Sequence, residues 1–262
     1  MKILFIGDVV GSPGRQAIKV LLPGLKIEFS LDFTVANAEN AAGGSGITQS
    51  VADDLFASGV DVLTSGDHIW KKREIFELIS RENRILRPAN YPPGAPGSGY
   101  GIFKAGSTGT KIGLVNVNGR VFMQPLDCPF KAVSQARENL IKETNIIIVD
   151  VHAEATSEKT ALGWYLDGKV SAVLGTHTHI QTADERILPQ GTAYLTDAGM
   201  TGPYDSVIGR DIPAVIERFI TSIPAKFDVA TENIQLQGVV VDIDESTGKA
   251  RSIVRVQRKL NG

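Results

Sequence analysis

Four histidines occur in this 262-residue chain, His68, His152, His177 and His179, and each closely follows a short apolar run. Acids and amides stand at the same places: Gly7-Asp8, Asn37-Ala38-Glu39-Asn40, Gly66-Asp67-His68, Asp150-Val151-His152 and Gly175-Thr176-His177-Thr178-His179. Taken singly, a histidine is usually a surface group or a satisfied core residue. All four in such positions point instead to a shared metal site. Carboxylate mixed with imidazole suits iron, manganese, zinc or cobalt, whereas calcium takes oxygen alone. The six or seven candidate ligands are too many for one tetrahedral ion. They suffice for two ions about 3.5–4 Å apart that share a carboxylate. Such a pair lowers the pKa of bound water, supplies hydroxide at neutral pH and clamps phosphate oxygens. Phosphate-ester hydrolysis depends on those services, because little covalent chemistry is open to the protein.

These residues need elements to carry them. Apolar runs at Lys2 to Ile6, Asp32 to Asn37, Asp61 to Ser65, Ile112 to Val117, Asn145 to Val151 and Ala172 to Leu174 read as strands. Helical spacing of apolar residues covers Arg15 to Ile27, after a turn at Gly11, Pro13 and Gly14 and with a possible break at Pro23-Gly24. It recurs at Val51 to Ser58 (capped by Thr48 or Ser50), Lys71 to Ile79, Ala132 to Glu143, Ala161 to Leu166 and Ile212 to Ile223. Pro88 to Gly101 reads as a loop, and Leu236 to Ile243 with Ala250 to Val256 as a hairpin. Alternating strands and helices imply an α/β fold with a mainly parallel sheet and antiparallel additions near the end, over one domain, 1–262. Ligands of such sheets gather at the carboxyl ends of strands, where the histidines and acids lie.

Composition narrows the class. Hydrophobic residues at 42% and charged residues at 21% fit a globular chain. A formal net charge of -2 argues against strong binding of long nucleic acids and leaves a small anionic substrate open. A single cysteine, Cys128, permits no internal disulfide and fits a reducing, cytoplasmic setting. Met1 to Ile6 is too short for a signal peptide or a membrane span, and no membrane association is expected.

Several residues have plainer readings. Asp8 could cap the next helix, Glu39 could be a loop acid, and turn chemistry alone accounts for many asparagines like Asn40. Asp150 is expected to pair or face away, because His152 lies two residues on in a strand of period two. Gly43-Gly44-Ser45-Gly46 lacks the Lys-Ser/Thr of a P-loop and reads as a flexible site loop. Glu154, Ser157, Glu158 and Lys159 could wall a substrate or be solvent charges at a helix start. Trp70, Trp164 and Tyr204 could stack on a base, with packing the plainer role. Cys128 has no neighbouring histidine in sequence and is not read as a nucleophile.

In their order, Gly7-Asp8, Glu39-Asn40, Gly66-Asp67-His68, His152 and Gly175-Thr176-His177-Thr178-His179 resemble the signature of the calcineurin-like metallophosphoesterases. The chain is more closely similar to the bacterial YmdB-type phosphodiesterase subfamily, over nearly its whole length. The runs Gly7 to Arg15, His152 to Lys159, Leu162-Gly163-Trp164-Tyr165, Gln181-Thr182-Ala183-Asp184 and Gly199 to Tyr204 carry that likeness. The resemblance implies two mixed sheets flanked by helices, two metal ions (iron or manganese, then zinc) and hydrolysis of small phosphodiesters such as 2′,3′-cyclic AMP. It implies Glu39 as the bridge, with Asp8, Asn40 and His179 on one ion and Asp67, His152 and His177 on the other. His68 would meet the phosphate and protonate the leaving oxygen or stabilise its charge. A homo-oligomer, dimer or tetramer, is also implied.

Two positions depart from the pattern. Val10 stands where the wider superfamily has a histidine, and Asp67 where it has asparagine. Asn40 is the natural substitute for the first. Aspartate at 67 adds negative charge and loses an amide donor, so firmer cation binding and weaker attraction for phosphate are expected. A phosphomonoesterase or nucleotidase using the same site, and a binding or RNA-linked regulatory protein, are the alternatives.

Overall fold

A computed structural model describes residues 1–106 and 109–260. Two mixed sheets pack face to face. The first has the order β2-β11-β12-β1-β3-β4, with β13 also on β12. Its members are β1 (Lys2–Ile6), β2 (Asp8–Val9), β3 (Phe33–Asn37), β4 (Val62–Thr64), β11 (Met200–Pro203), β12 (Ile234–Ile243) and β13 (Ala250–Lys259). The second has the order β5-β6-β7-β8-β10-β9. It contains β5 (Tyr100–Lys104), β6 (Lys111–Asn118), β7 (Ile147–His152), β8 (Ala172–Thr176), β9 (Arg186–Ile187) and β10 (Ala193–Leu195).

Side chains alternate across each strand, so one sequence run feeds two cores. Ile3, Phe5, Val35 and Val62 face Leu114, Ile148, Leu174 and Leu195 between the sheets. Leu4, Ile6, Ala36 and Leu63 turn the other way and share a core with Ile18, Leu22, Leu55 and Ile75. Those partners lie on α1 (Gly11–Phe29), α2 (Gln49–Ala57) and α3 (Ile75–Arg81). On the far side, Val115, Val117, Val149, Val151 and Val173 pack with Val133, Leu140, Leu162 and Leu166, carried by α4 (Pro129–Leu140) and α5 (Thr156–Leu166). The layers are therefore helices, sheet, sheet, helices, the sandwich that was expected.

The beginning of α1 corrects the sequence reading. Gly11, Pro13 and Gly14 belong to the helix, not to a turn before it. Gly11 opens it with φ +59°, and Pro13 falls in the first turn, where a backbone N–H is not needed. A Cβ on Gly14 would collide with the Thr201 carbonyl, so glycine lets α1 lie directly on β11. Pro23 forfeits one helical hydrogen bond without ending the helix, because buried Leu22 and Leu25 hold the turns on either side. The helix expected over Lys71 to Ile79 is a 3₁₀ turn (Ile69–Lys71), an extended Lys72, and then α3. The loop expected to reach Gly101 yields to β5 at Tyr100, and β2, β9, β10 and β11 are too short to show a period. The last helix, α6 (Ile212–Thr221), buries Val215 and leaves Ile216, Phe219 and Ile220 exposed. No helix among the described residues is long and apolar enough to cross a membrane.

Candidate metal centre

Strands β1, β3 and β4 run parallel, as do β6, β7 and β8. Parallel strands end at one rim, so each sheet delivers its post-strand residues to a common edge. The first sheet supplies Asp8, Glu39, Asn40, Asp67 and His68. The second supplies His152, His177 and His179. The seven expected metal ligands and His68 therefore all reach this edge.

Glu39 is the hub. Its Oε2 lies 3.0 Å from His152 Nε2 and accepts the His68 backbone N–H at 3.2 Å. Its Oε1 accepts from Asn40 Nδ2 at 2.8 Å and lies 3.4 Å from His68 Nδ1. On one side, one donor atom each from Glu39, Asp67, His152 and His177 all fall within 4.8 Å of one another. Asp67 Oδ1 is 3.3 Å from His152 Nε2 and 3.7 Å from His177 Nδ1. On the other side, Asn40 Nδ2 is 3.1 Å from His179 Nε2, which lies 4.0 Å from Asp8 Oδ1. Asp8 Oδ2 accepts the His177 backbone N–H at 3.0 Å. Asp8 therefore begins β2 and does not cap α1, whose start has no side-chain cap.

Two of these carboxylate oxygens, Asp8 Oδ1 and Asp67 Oδ1, are buried without a hydrogen-bond donor. Leaving such groups unpaired is costly, and a cation would satisfy both. The carboxylate and imidazole donors fit a borderline transition-metal ion. A Cβ on Gly66 would collide with Glu39 Oε2 and His152 Nε2, so glycine is what admits Asp67 and His68 to the edge.

Outer groups fix the donors. Thr176 Oγ1 donates to Asp150 Oδ1 at 2.7 Å and, 2.9 Å from His152 Nδ1, accepts from it, which turns Nε2 toward Glu39. Asp150 also accepts from Thr64 Oγ1 (2.5 Å) and Asn37 Nδ2 (3.0 Å). It is thus paired, as one expectation had it, but it does not face away: residues two apart share a strand face, and Asp150 lies beneath His152 on the same Asn37 and Thr176 side chains.

The electrostatics follow from burial and crowding. Burial, only partly offset by His179 and His152, pushes Asp8 up to about 6. Burial also works against ionised Glu39, but His152 and His68 outweigh it and hold that carboxyl well below its ordinary range. Conversely, burial disfavours a charged His152, yet Glu39, Asp67 and Asp8 raise it well above the usual imidazole value. His177 is pushed down to about 4, first by burial and then by neighbouring His152. The hydrogen bond to Glu39 is the main cause of a raised His68. The His152 proton is thus the counter-charge that an incoming cation would displace.

Asp67 is held below its ordinary value: burial opposes ionisation, and the His152 contact overcomes it. Asp67→Asn should lower cation retention about 10-fold, the lower end of what supporting groups contribute, and reduce KM for an anionic diester. Metal content after dialysis and steady-state kinetics check this; unchanged values for both refute it.

The cluster opens into a cavity of ≈ 270 Å³ lined by Glu39, Asn40, His68, Glu154, His177, Thr178, His179, Ile208 and Arg210. Ile208 and Arg210 escaped the sequence reading, because no motif or strand end marks them. The Ile208 carbonyl lies 2.9 Å from His179 Nδ1, and Arg210 donates to the Gly44 carbonyl. The glycine loop expected to be flexible folds back on the site, with Gly44 N–H donating to Asn40 O at 3.1 Å and Gly46 N–H to Glu39 O. Glu158 and Lys159, open to reading as solvent charges, are buried. Glu158 caps the Arg120 and Val121 amides, and Lys159 pairs with Asp197 at 2.7 Å. Only Glu154 of that group meets the cluster, 3.1 Å from His177 Nε2. Trp70 stacks on Phe76, Arg186 lies over the half-exposed Trp164, and the Tyr204 hydroxyl donates to the Met200 carbonyl, all packing roles. Cys128 is a free thiol at the start of α4.

Two mixed sheets between helices, with acids and imidazoles from both sheets on one rim, are the architecture of the metallophosphoesterase-like fold class. Within that class the chain belongs to the YmdB-like protein family, whose model matches residues 4–256. A 2′,3′-cyclic-nucleotide 2′-phosphodiesterase of Bacillus subtilis is 52% identical over 256 residues, 98% of this chain and 96% of that relative. The crystal structure of a hypothetical protein from Thermus thermophilus superposes with TM-score 0.92 at 41% identity, over 99% of each chain. A Mycoplasma pneumoniae structure described as a novel phosphatase gives 0.90 at 34%, covering 99% of this chain and 93% of that one. A Candida albicans 5′-nucleotidase, 12% identical with TM-score 0.58 over 99% of this chain and 51% of its own, shares the fold alone.

Proposed function

We propose that this chain is a metal-dependent phosphodiesterase that hydrolyses nucleoside 2′,3′-cyclic phosphates. The observation that carries the reading is the Glu39-centred cluster, in which ligand atoms of Glu39, Asp67, His152 and His177 converge while Asn40 meets the other oxygen of the same carboxylate. Glu39 would bridge two ions, iron or manganese before zinc, with Asp8, Asn40 and His179 on one and Asp67, His152 and His177 on the other. When bound, such ions activate water and offset phosphate charge. The activity named for the 52% identical Bacillus subtilis relative supports the substrate class.

The chain's own groups supply the rest. His68 Nδ1 lies 2.8 Å from Asn40 Oδ1, a carbonyl that accepts its proton. Glu39 beside it raises the imidazole's affinity for a second proton, which would sit on Nε2 and serve the oxygen that leaves phosphorus. Asn40 and Glu39 thereby position both the proton and the substrate side of the site. The cavity suits a phosphate with its sugar, and the carboxylates of Glu39 and Glu154 in its wall disfavour a dianionic monoester relative to a diester.

Hydrolysis of a chromogenic phosphodiester tests this reading. Manganese or iron should support it, chelation should reduce it by at least about 100-fold, and re-addition should restore it. Turnover that persists in chelator, or a faster rate on the matching monoester, overturns it. A cytoplasmic, single-domain protein belongs to the same reading, supported by one unpaired cysteine. A homo-oligomer does too, supported by the exposed apolar face of α6. Light scattering should return a multiple of the 28.1 kDa chain mass; a monomer refutes that part.

A further inference from the structure

The two ring nitrogens of His177 have different surroundings. Nδ1 faces the cluster, 3.0 Å from His152 Nε2 and 3.7 Å from Asp67 Oδ1. Nε2 points out of it, 3.1 Å from Oε2 of Glu154. A neutral imidazole carries one N–H, and the partner of one nitrogen decides where the other's lone pair is offered. An ionised carboxylate only accepts hydrogen bonds, so a proton between Glu154 and His177 sits on Nε2. We propose that Glu154 is a positioning residue that fixes His177 as the Nε2–H tautomer and so aims the Nδ1 lone pair into the cluster.

His179, two residues on, provides the contrast. Its Nδ1 lies 2.9 Å from the Ile208 carbonyl, which also only accepts, so its proton sits on Nδ1 and Nε2 faces Asn40 at 3.1 Å. One short loop thus presents its two histidines through opposite nitrogens. Both have left-handed backbone, with φ 100° at His177 and 64° at His179, so the loop turns between them and the two rings need separate outer partners. His179 takes a main-chain carbonyl, which substitution cannot remove. His177 takes the half-exposed side chain of Glu154, which substitution can.

The inference rests on the proposed role of His177 as a ligand, yet the tautomer can be read without metal or substrate. Ring-labelled histidine in the metal-free protein at neutral pH, followed by ¹H–¹⁵N correlation, should show His177 protonated at Nε2. Glu154→Ala should shift His177 toward the Nδ1–H form and weaken Mn²⁺ binding, read by calorimetry, by about 10–100-fold. Glu154→Gln keeps an accepting oxygen and should restore both. The His179 signals should stay in place throughout, which verifies that each variant is folded. An Nε2 without its proton in the parent, or Glu154→Ala with unchanged tautomer and Mn²⁺ affinity, overturns the proposal. A protein that shows the tautomer shift but hydrolyses no diester leaves this inference standing and sinks the enzymatic reading instead.

Discussion

Glu39→Gln should cost on the order of 10³-fold in kcat/KM on a phosphodiester, because removing even one preorganised charge-stabilising group costs 10²–10³-fold. The substitution keeps volume and removes charge. Glu39 is the group that touches both halves of the cluster, through His152 Nε2 at 3.0 Å and Asn40 Nδ2 at 2.8 Å. A glutamine carries one oxygen in place of two, and its NH₂ would point at N–H donors of His68, His152 or Asn40. A buried donor facing donors adds about 1–3 kcal/mol of unmet hydrogen bonding. His152 would also lose its strongest source of positive-charge stabilisation. The variant should therefore fold and bind less metal. Elemental analysis, far-ultraviolet circular dichroism and diester kinetics together check this. A folded variant with parental metal content and activity within about 10-fold would remove Glu39 from the centre of the site.

Lys159→Met should lower stability by about 3–5 kcal/mol, the cost of breaking a buried ion pair by removing one partner. At about 2–4 °C per kcal/mol for a chain of this size, Tm should fall by roughly 10 °C. Lys159 and Asp197 are 1% and 0% exposed and meet at 2.7 Å. Asp197 Oδ2 also accepts from Thr178 N–H at 3.1 Å and Thr178 Oγ1 at 2.7 Å, and Oδ1 accepts from Gly199 N–H at 2.9 Å. The pair therefore holds the turn between His177 and His179, whose left-handed backbones cost on the order of 1–3 kcal/mol each unless neighbours enforce them. Methionine fills the space of the lysine stem, so lost charge accounts for the effect rather than a cavity. Thermal unfolding in chelator reads it directly. A Tm within about 2 °C of the parent would show that Asp197 is adequately held by its three other donors.

Much of the site was legible in the sequence because a parallel sheet converts order along the chain into position in space. Asp8, Glu39, Asp67, His152 and His177 each lie just past an apolar run, and runs that form parallel strands must end on one side. The pairing of Asp150 was legible as well, three donors meeting it, but its direction was not: two-residue periodicity puts it on the same face as His152. The approximate places of the helices were legible for the same local reason, while the start of α1, the break at Lys72 and the first turn of α5 were not. Gly11, Pro13 and Gly14 carry turn chemistry, and only the closeness of the Thr201 carbonyl explains why they serve a helix.

By itself the sequence determined the alternation of strands and helices, the edge where chemistry gathers and the residue types available there. All three follow from short-range periodicity and side-chain chemistry, whereas the division into two stacked sheets was implied only by the family resemblance. Only the tertiary structure decided which side chains meet: Glu39 between two sets of donors, Glu154 on the outer nitrogen of His177, the Ile208 carbonyl on His179, and Lys159 buried against an acid 38 residues away. A local pattern encodes which way a residue faces, whereas its partner depends on how two sheets are stacked and where their connecting loops close.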